Sequence, residues 1–170
     1  VEKLKENAYA GAPLHFIGHL QRNKVKQVVG YVDLIQSVGS LELLDEIERA
    51  AAGKNLAQDI LLEVNIGEEG AKSGFLPGAV FSGAEEAAAR RHVRVRGLMA
   101  IPPATASREE NMGYFEKVRT LYVDINGKLF NNNLEYLSMG MSGDYADAVR
   151  CGATMVRVGS AIFGARNYNL

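Results

Sequence analysis

Apolar and polar positions along this chain follow two periods. Short runs rich in Val and Ile at 15–18, 32–37, 59–66, 94–101, 134–139 and 154–158 read as strands. Longer stretches whose apolar residues recur every three or four positions, at 20–29, 41–52, 78–91, 108–122 and 143–150, read as helices. Several boundaries carry their own chemistry. Ser107 with Glu110 forms a capping box ahead of a stripe of Met112, Phe115, Val118 and Leu121. Ser142 suits the N-cap of a helix whose first turn holds Asp144, Gly30 and Gly53 stand where helix C-caps are expected, and NGKLFNNN (126–133) reads as a polar loop.

Strand and helix alternate without hairpin signals, which predicts an α/β fold with a parallel sheet, because parallel neighbours need a crossover that helices supply. No G-x-G-x-x-G follows the first strand, so the dinucleotide fingerprint of a doubly wound sheet is missing. Small or polar residues recur at the C-terminal ends of successive strands: His19, Ser37, Asn65, Ser138, Gly159 and Ser160. In a (β/α)8 barrel those ends converge on one mouth where ligands bind. The barrel reading asks for eight strands, and six are counted.

Composition narrows the function classes. The 170 residues hold 19 Lys+Arg against 20 Asp+Glu, a formal charge of −1, so no global field draws in nucleic acid or an anionic membrane. No apolar run approaches the roughly 20 residues of a spanning helix, and the first residues lack a signal-peptide pattern, which predicts a cytoplasmic protein. Cys151 is the single cysteine, so neither an internal disulfide nor a cysteine metal site is expected.

The strongest local signal is LSMGMSGDYADAVRCGATMVRVGSAIFGAR (137–166): strand, Gly/Ser loop, helix, strand, Gly-Ser turn and a short helical run. Barrels commonly hold phosphate on backbone N–H groups in such a place. Gly159 allows close approach of the backbone, Ser160 and Ser138 offer hydroxyls, and Arg157 offers charge to a phosphate or a ring acceptor. The alternative is that the glycines only turn the chain and Arg157 makes an interior ion pair. GEEGAKSG (67–74) lacks the glycine spacing of a nucleotide loop, and Lys72 within it reads as solvated. His15 and His19 read as hydrogen-bonded residues of a strand end rather than metal ligands, RRHVRVR (90–96) as a solvated helix end running into a strand, and Cys151 as a buried inert thiol.

HFIGHLQRNKVK (15–26), VNIGEEGAKSGF (64–75), VRGLMAIPP (95–103) and the 137–166 segment together resemble the pyridoxal phosphate homeostasis protein family (YggS/PROSC type). The resemblance implies one domain over 1–170 of (β/α)8 TIM-barrel type, the alanine racemase N-terminal-like type III fold of enzymes using pyridoxal 5′-phosphate (PLP). It implies PLP as the ligand, held at phosphate and ring by Ser138, Arg157, Gly159 and Ser160, with Met139, Met141 and Ser142 along the same loop. It also implies a role in PLP homeostasis without established catalytic activity, with PLP-dependent apoenzymes as further partners. The alternative is a PLP-dependent amino-acid enzyme of the alanine racemase type. Two departures stand out. Gln36, Ser37, Val38 and Gly39 replace a His-Ser-Val-Asp-like strand end, and no lysine here matches the family's Schiff-base lysine, which belongs to an earlier strand. The resemblance therefore implies that about the first two β/α units of the barrel are missing from this sequence.

Overall fold

Six strands pair in strict chain order, and every pair is parallel. A doubly wound sheet reverses its strand order at a switch point, whereas a barrel wall does not, so this order is that of a TIM-barrel-type wall. The computed structural model describes residues 11–70 and 72–164. Its elements are β1 (His15–Phe16), a 3-10 helix (Arg22–Gln27), β2 (Leu34–Val38), α1 (Leu41–Gly53), β3 (Gln58–Val64) and α2 (Val80–Ala88). They continue with β4 (Val93–Ala100), α3 (Arg108–Leu129), β5 (Tyr136–Met141), α4 (Tyr145–Arg150), β6 (Met155–Arg157) and α5 (Ser160–Phe163). No helix among the described residues is long and apolar enough to cross a membrane.

Most of the apolar core lies between the sheet and the helices. α1 places Leu43, Leu44, Ile47, Ala50 and Ala51 against it, starting at Ser40, whose hydroxyl accepts from the Leu43 amide at 3.2 Å. Each fully buried Leu or Ile contributes roughly 1.5–3 kcal/mol relative to exposure. α3 begins at the expected capping box and buries Phe115, Val118 and Ile125. Its first residue, Arg108, grips Asp147 of α4 through two bonds of 2.7 and 2.8 Å. That bidentate pair fixes α4 and hence the loop that enters it.

The sheet's other face is layered along the strands. At the N-terminal ends of β3–β5, Asp59 is bound by Arg94 at 2.7 Å and Arg96 at 3.3 Å, and Arg96 also pairs with Glu135. A small apolar layer follows, with Leu34, Leu61 and Met99 buried and Tyr136 and Met155 packed on them. A polar layer lies at the C-terminal ends. The bulge that shifts register between Ile60 and Leu61 falls at Gly97, where an added Cβ would lie 1.7 Å from the Tyr136 carbonyl oxygen.

Four boundaries differ from the sequence expectation. Residues 20–29 form only the short 3-10 helix. α3 continues through Asn126–Leu129 because Ile125 stays in the core, and Asn126 ends the helix by accepting from Phe130 and Asn132. Gly53 remains helical, and Asn55 takes the left-handed turn at φ 51°. Ser142 does not cap α4; Asp144 stands there, its carboxylate accepting from the Met141 amide at 2.6 Å. In the basic run Arg91 and Arg94 are exposed, while Arg90 meets Asp45 and Glu86, and His92 donates its amide to Glu48 at 2.8 Å.

Candidate functional site

The polar layer at the C-terminal ends is built around one hydroxyl. Ser138, fully buried in β5, donates to Gln36 Oε1 at 2.7 Å and accepts from Arg157 Nη1 at 2.6 Å. The second guanidinium nitrogen of Arg157 donates to the Ala100 carbonyl at 3.0 Å. Gln36 Nε2 donates to His15 Nδ1 at 3.1 Å and to Met155 Sδ at 3.2 Å. Because that nitrogen only donates, His15 accepts through Nδ1. The network thus joins β1, β2, β4, β5 and β6 with one consistent direction of donation.

Arg157 is half-buried, and burial lowers its pKa against the opposing pull of Asp144 and Glu63. Among the described residues its hydrogen-bond partners are neutral, so the interior ion pair weighed from sequence is not formed. Glu63, on β3, was not singled out in the sequence. It is half-buried, accepts from the Ser73 hydroxyl at 3.0 Å, and burial raises its pKa. The signal available was its alternation with Asp59 and Leu61, but a lone carboxylate in an apolar run does not reveal which side of the strand is the interior.

Gly159 and Ser160 form the turn after β6 and the start of α5, both exposed. Their neighbour is Ser142, whose hydroxyl accepts from the Gly159 amide at 3.1 Å and the Ala161 amide at 3.3 Å. The structure therefore ties the β5 loop to the α5 turn, while Ser138 sits deeper with Arg157. Met139 is buried in the helix-side core, and Met141 is exposed. Cys151 is buried on the same side with its thiol pKa pushed up by burial.

Next to this layer lies an open cleft of about 810 Å³, lined by His19, Arg22, Ser37, Lys72 and Ser73 among others. Ser37 is buried, and its hydroxyl has no partner among the described residues. Lys72 is held by Glu69 at 2.7 Å and reaches the Pro102 carbonyl at 3.4 Å, so its ammonium is engaged at the mouth.

A parallel barrel-type wall with a half-buried arginine and a Gly-Ser helix turn at its C-terminal mouth defines a small-molecule-binding domain of the β/α barrel class. Comparison with known proteins refines this. Residues 2–167 match the family described as alanine racemase, N-terminal domain. A "Pyridoxal phosphate homeostasis protein" of Aquifex aeolicus is 44% identical over 154 residues, covering 91% of this chain and 67% of that one. One of the same name from Haemophilus influenzae is 37% identical over 171 residues, covering 99% and 72%. Among solved structures, PipY of Synechococcus elongatus without PLP superposes with a TM-score of 0.88 at 30% identity, covering 96% of this chain and 78% of that one. PipY with PLP bound gives 0.85, covering 96% and 76%. An alanine racemase of Clostridium difficile, 16% identical with a TM-score of 0.76, shares the fold. The chain belongs to the pyridoxal phosphate homeostasis protein family.

Proposed function

We propose that this chain binds PLP at the C-terminal mouth of its sheet and serves PLP homeostasis. The observation that carries the reading is the chain's 37–44% identity to two proteins named for that role, together with its likeness to PipY, which has been solved with PLP bound. The site fits an anionic ring compound on its own terms. Arg157 is a half-buried cation held by neutral partners, which a ligand charge would complement. The Gly159–Ser160 turn borders open space, since a Cβ at Gly159 would meet nothing within 4 Å, and its Gly159 and Ala161 N–H groups, gathered on the Ser142 hydroxyl, are the donors a phosphate would take over. In this reading Gly159 and Ser160 take the phosphate, Arg157 faces the ring or its substituents, and Ser138 orients Arg157. Bound PLP supplies an aldehyde that captures amines and a ring that withdraws electrons. We read the role as binding and delivery to PLP-dependent apoenzymes in the cytoplasm rather than turnover.

PLP titration followed by absorbance or ligand retention tests the reading. Arg157→Ala is expected to weaken binding by about 10–100-fold, the worth of a charge-assisted hydrogen bond of about 1.5–3 kcal/mol. Ser160→Ala should weaken it less. Unchanged affinity in both variants would remove the assignment, and racemisation or decarboxylation at enzymatic rates would replace homeostasis with catalysis.

A further inference from the structure

Glu63 is a charged group of the upper layer with no role in the reading above. Register pairs Glu63 with Met99 and Met99 with Ser138, which puts its side chain on the same side of the sheet as Ser138, Gln36 and Arg157. β3 ends one residue later, and the chain doubles back: the Phe75 amide donates to the Glu63 carbonyl at 2.8 Å and the Asn65 amide to the Phe75 carbonyl at 2.9 Å. This return delivers the Ser73 hydroxyl to the carboxylate and packs Gly74 against Gly39. A Cβ at Gly39 would lie 2.5 Å from the Gly74 nitrogen and 3.3 Å from Glu63 Oε2. The half-buried carboxylate thus lies close beside Gly39 and has one hydroxyl donor.

The groups that act on it come from several elements. His19 after β1 and Arg157 of β6 favour its ionised form, as does the Ser73 hydroxyl, while β2 and β4 bring only the neutral Gln36 and Met99. Burial outweighs these, so Glu63 holds a proton more readily than an ordinary glutamate. Arg157 is meanwhile drawn by both Glu63 and Asp144. A phosphate-bearing ligand at this mouth adds negative charge on the side of the sheet that Glu63 faces, and like charge raises the proton affinity of a nearby acid.

We propose that Glu63 accepts a proton as the mouth takes up a phosphate-bearing ligand, so that binding and protonation are one coupled event. This rests on the PLP-binding reading. The proton comes from solvent, leaves with the ligand, and makes capture stronger on the acid side of neutrality.

Calorimetric titration of PLP near neutral pH, in two buffers of different ionisation enthalpy, measures protons taken up per ligand. The unmutated chain is expected to exceed Glu63→Gln by about one-half to one proton, and its affinity to fall by up to about tenfold per pH unit where the variant's profile is flatter. Proton exchange by the ligand's own phosphate is common to both chains and cancels. Difference infrared spectra of the unmutated chain give an independent reading: a protonated carboxyl band appears on adding PLP. Equal proton uptake in the two chains, or no such band in the unmutated chain, overturns the proposal even if the variant folds poorly. PLP binding without proton uptake overturns this inference alone, whereas no PLP binding overturns the functional reading and this inference with it.

Discussion

Arg157 donates to the Ser138 hydroxyl at 2.6 Å while Ser138 donates its own proton to Gln36, so arginine and glutamine hold opposite sides of one oxygen. A serine alone could turn its hydroxyl either way. Gln36 removes that freedom, because its Oε1 only accepts and its Nε2 is already engaged with His15 and Met155. The orientation of the Arg157 guanidinium is therefore set from a strand more than 100 residues earlier in the chain.

Replacing Gln36 by Leu leaves the buried Ser138 hydroxyl, still bonded by Arg157, without an acceptor for its own proton, and removes a hydrogen bond from the exposed His15. A loss of about 1–3 kcal/mol in stability is expected, the cost of orphaning buried polar groups. Urea unfolding checks it, and an unchanged midpoint would show that the hydroxyl finds another acceptor.

Arg157→Lys keeps the charge and loses the fork. An ammonium is a compact donor that does not reproduce the planar span from Ser138 to the Ala100 carbonyl, so this substitution is not conservative. PLP affinity should drop by about tenfold, roughly 1.4 kcal/mol, between the effects of wild type and Arg157→Ala. Retention equal to wild type would mean that charge alone matters.

Gly97→Ala tests the bulge. The added Cβ would fall 1.7 Å from the Tyr136 carbonyl oxygen, which belongs to backbone and moves only if β4 and β5 separate. We expect a loss of about 3 kcal/mol or more, at the severe end of single substitutions, visible in thermal unfolding as a much lower Tm. A shift of only a degree or two would show that the two strands adjust without parting.

The Arg108–Asp147 clasp predicts an acid limb of stability. Hydrogen bonds from Arg108 first, and then Arg150, lower the Asp147 pKa from 3.8 to about 2. A folded-state value below the unfolded one stabilises above the unfolded pKa and is lost as pH falls toward the folded one. Stability should therefore decline between about pH 4 and pH 2, and less so in Asp147→Asn, as followed by urea midpoints across that range. Parallel acid limbs in the two chains would assign the decline to other carboxylates.

Local pattern was enough for the elements that close within a few residues. The Ser107–Glu110 box starts α3 where the sequence places it, because both halves of a capping box lie in one turn. The strands fall near their Val/Ile runs for the same reason, since β-branched residues favour extended backbone wherever they pack. Asn126 escaped this reading. Its neighbours are polar and suggest a loop, yet Ile125 and Leu129 reach the core and carry the helix through it.

Ser138, Arg157, Gly159 and Ser160 could be picked from the sequence because a Gly-Ser turn after a strand is a local anion-binding shape, and the resemblance to a family placed PLP there. What the sequence determined by itself was the α/β alternation, the Ser107–Glu110 cap and the family blocks, and it put these four residues forward as site candidates. Tertiary structure decided that Ser138 faces Gln36 and Arg157, that Ser142 serves the α5 turn instead of α4, and that Glu63 shares the upper layer. The physical reason is that strand pleat gives two sides, but which side becomes the interior depends on the pairing of strands distant in sequence. A hydroxyl's direction of donation, likewise, depends on partners that only folding brings together.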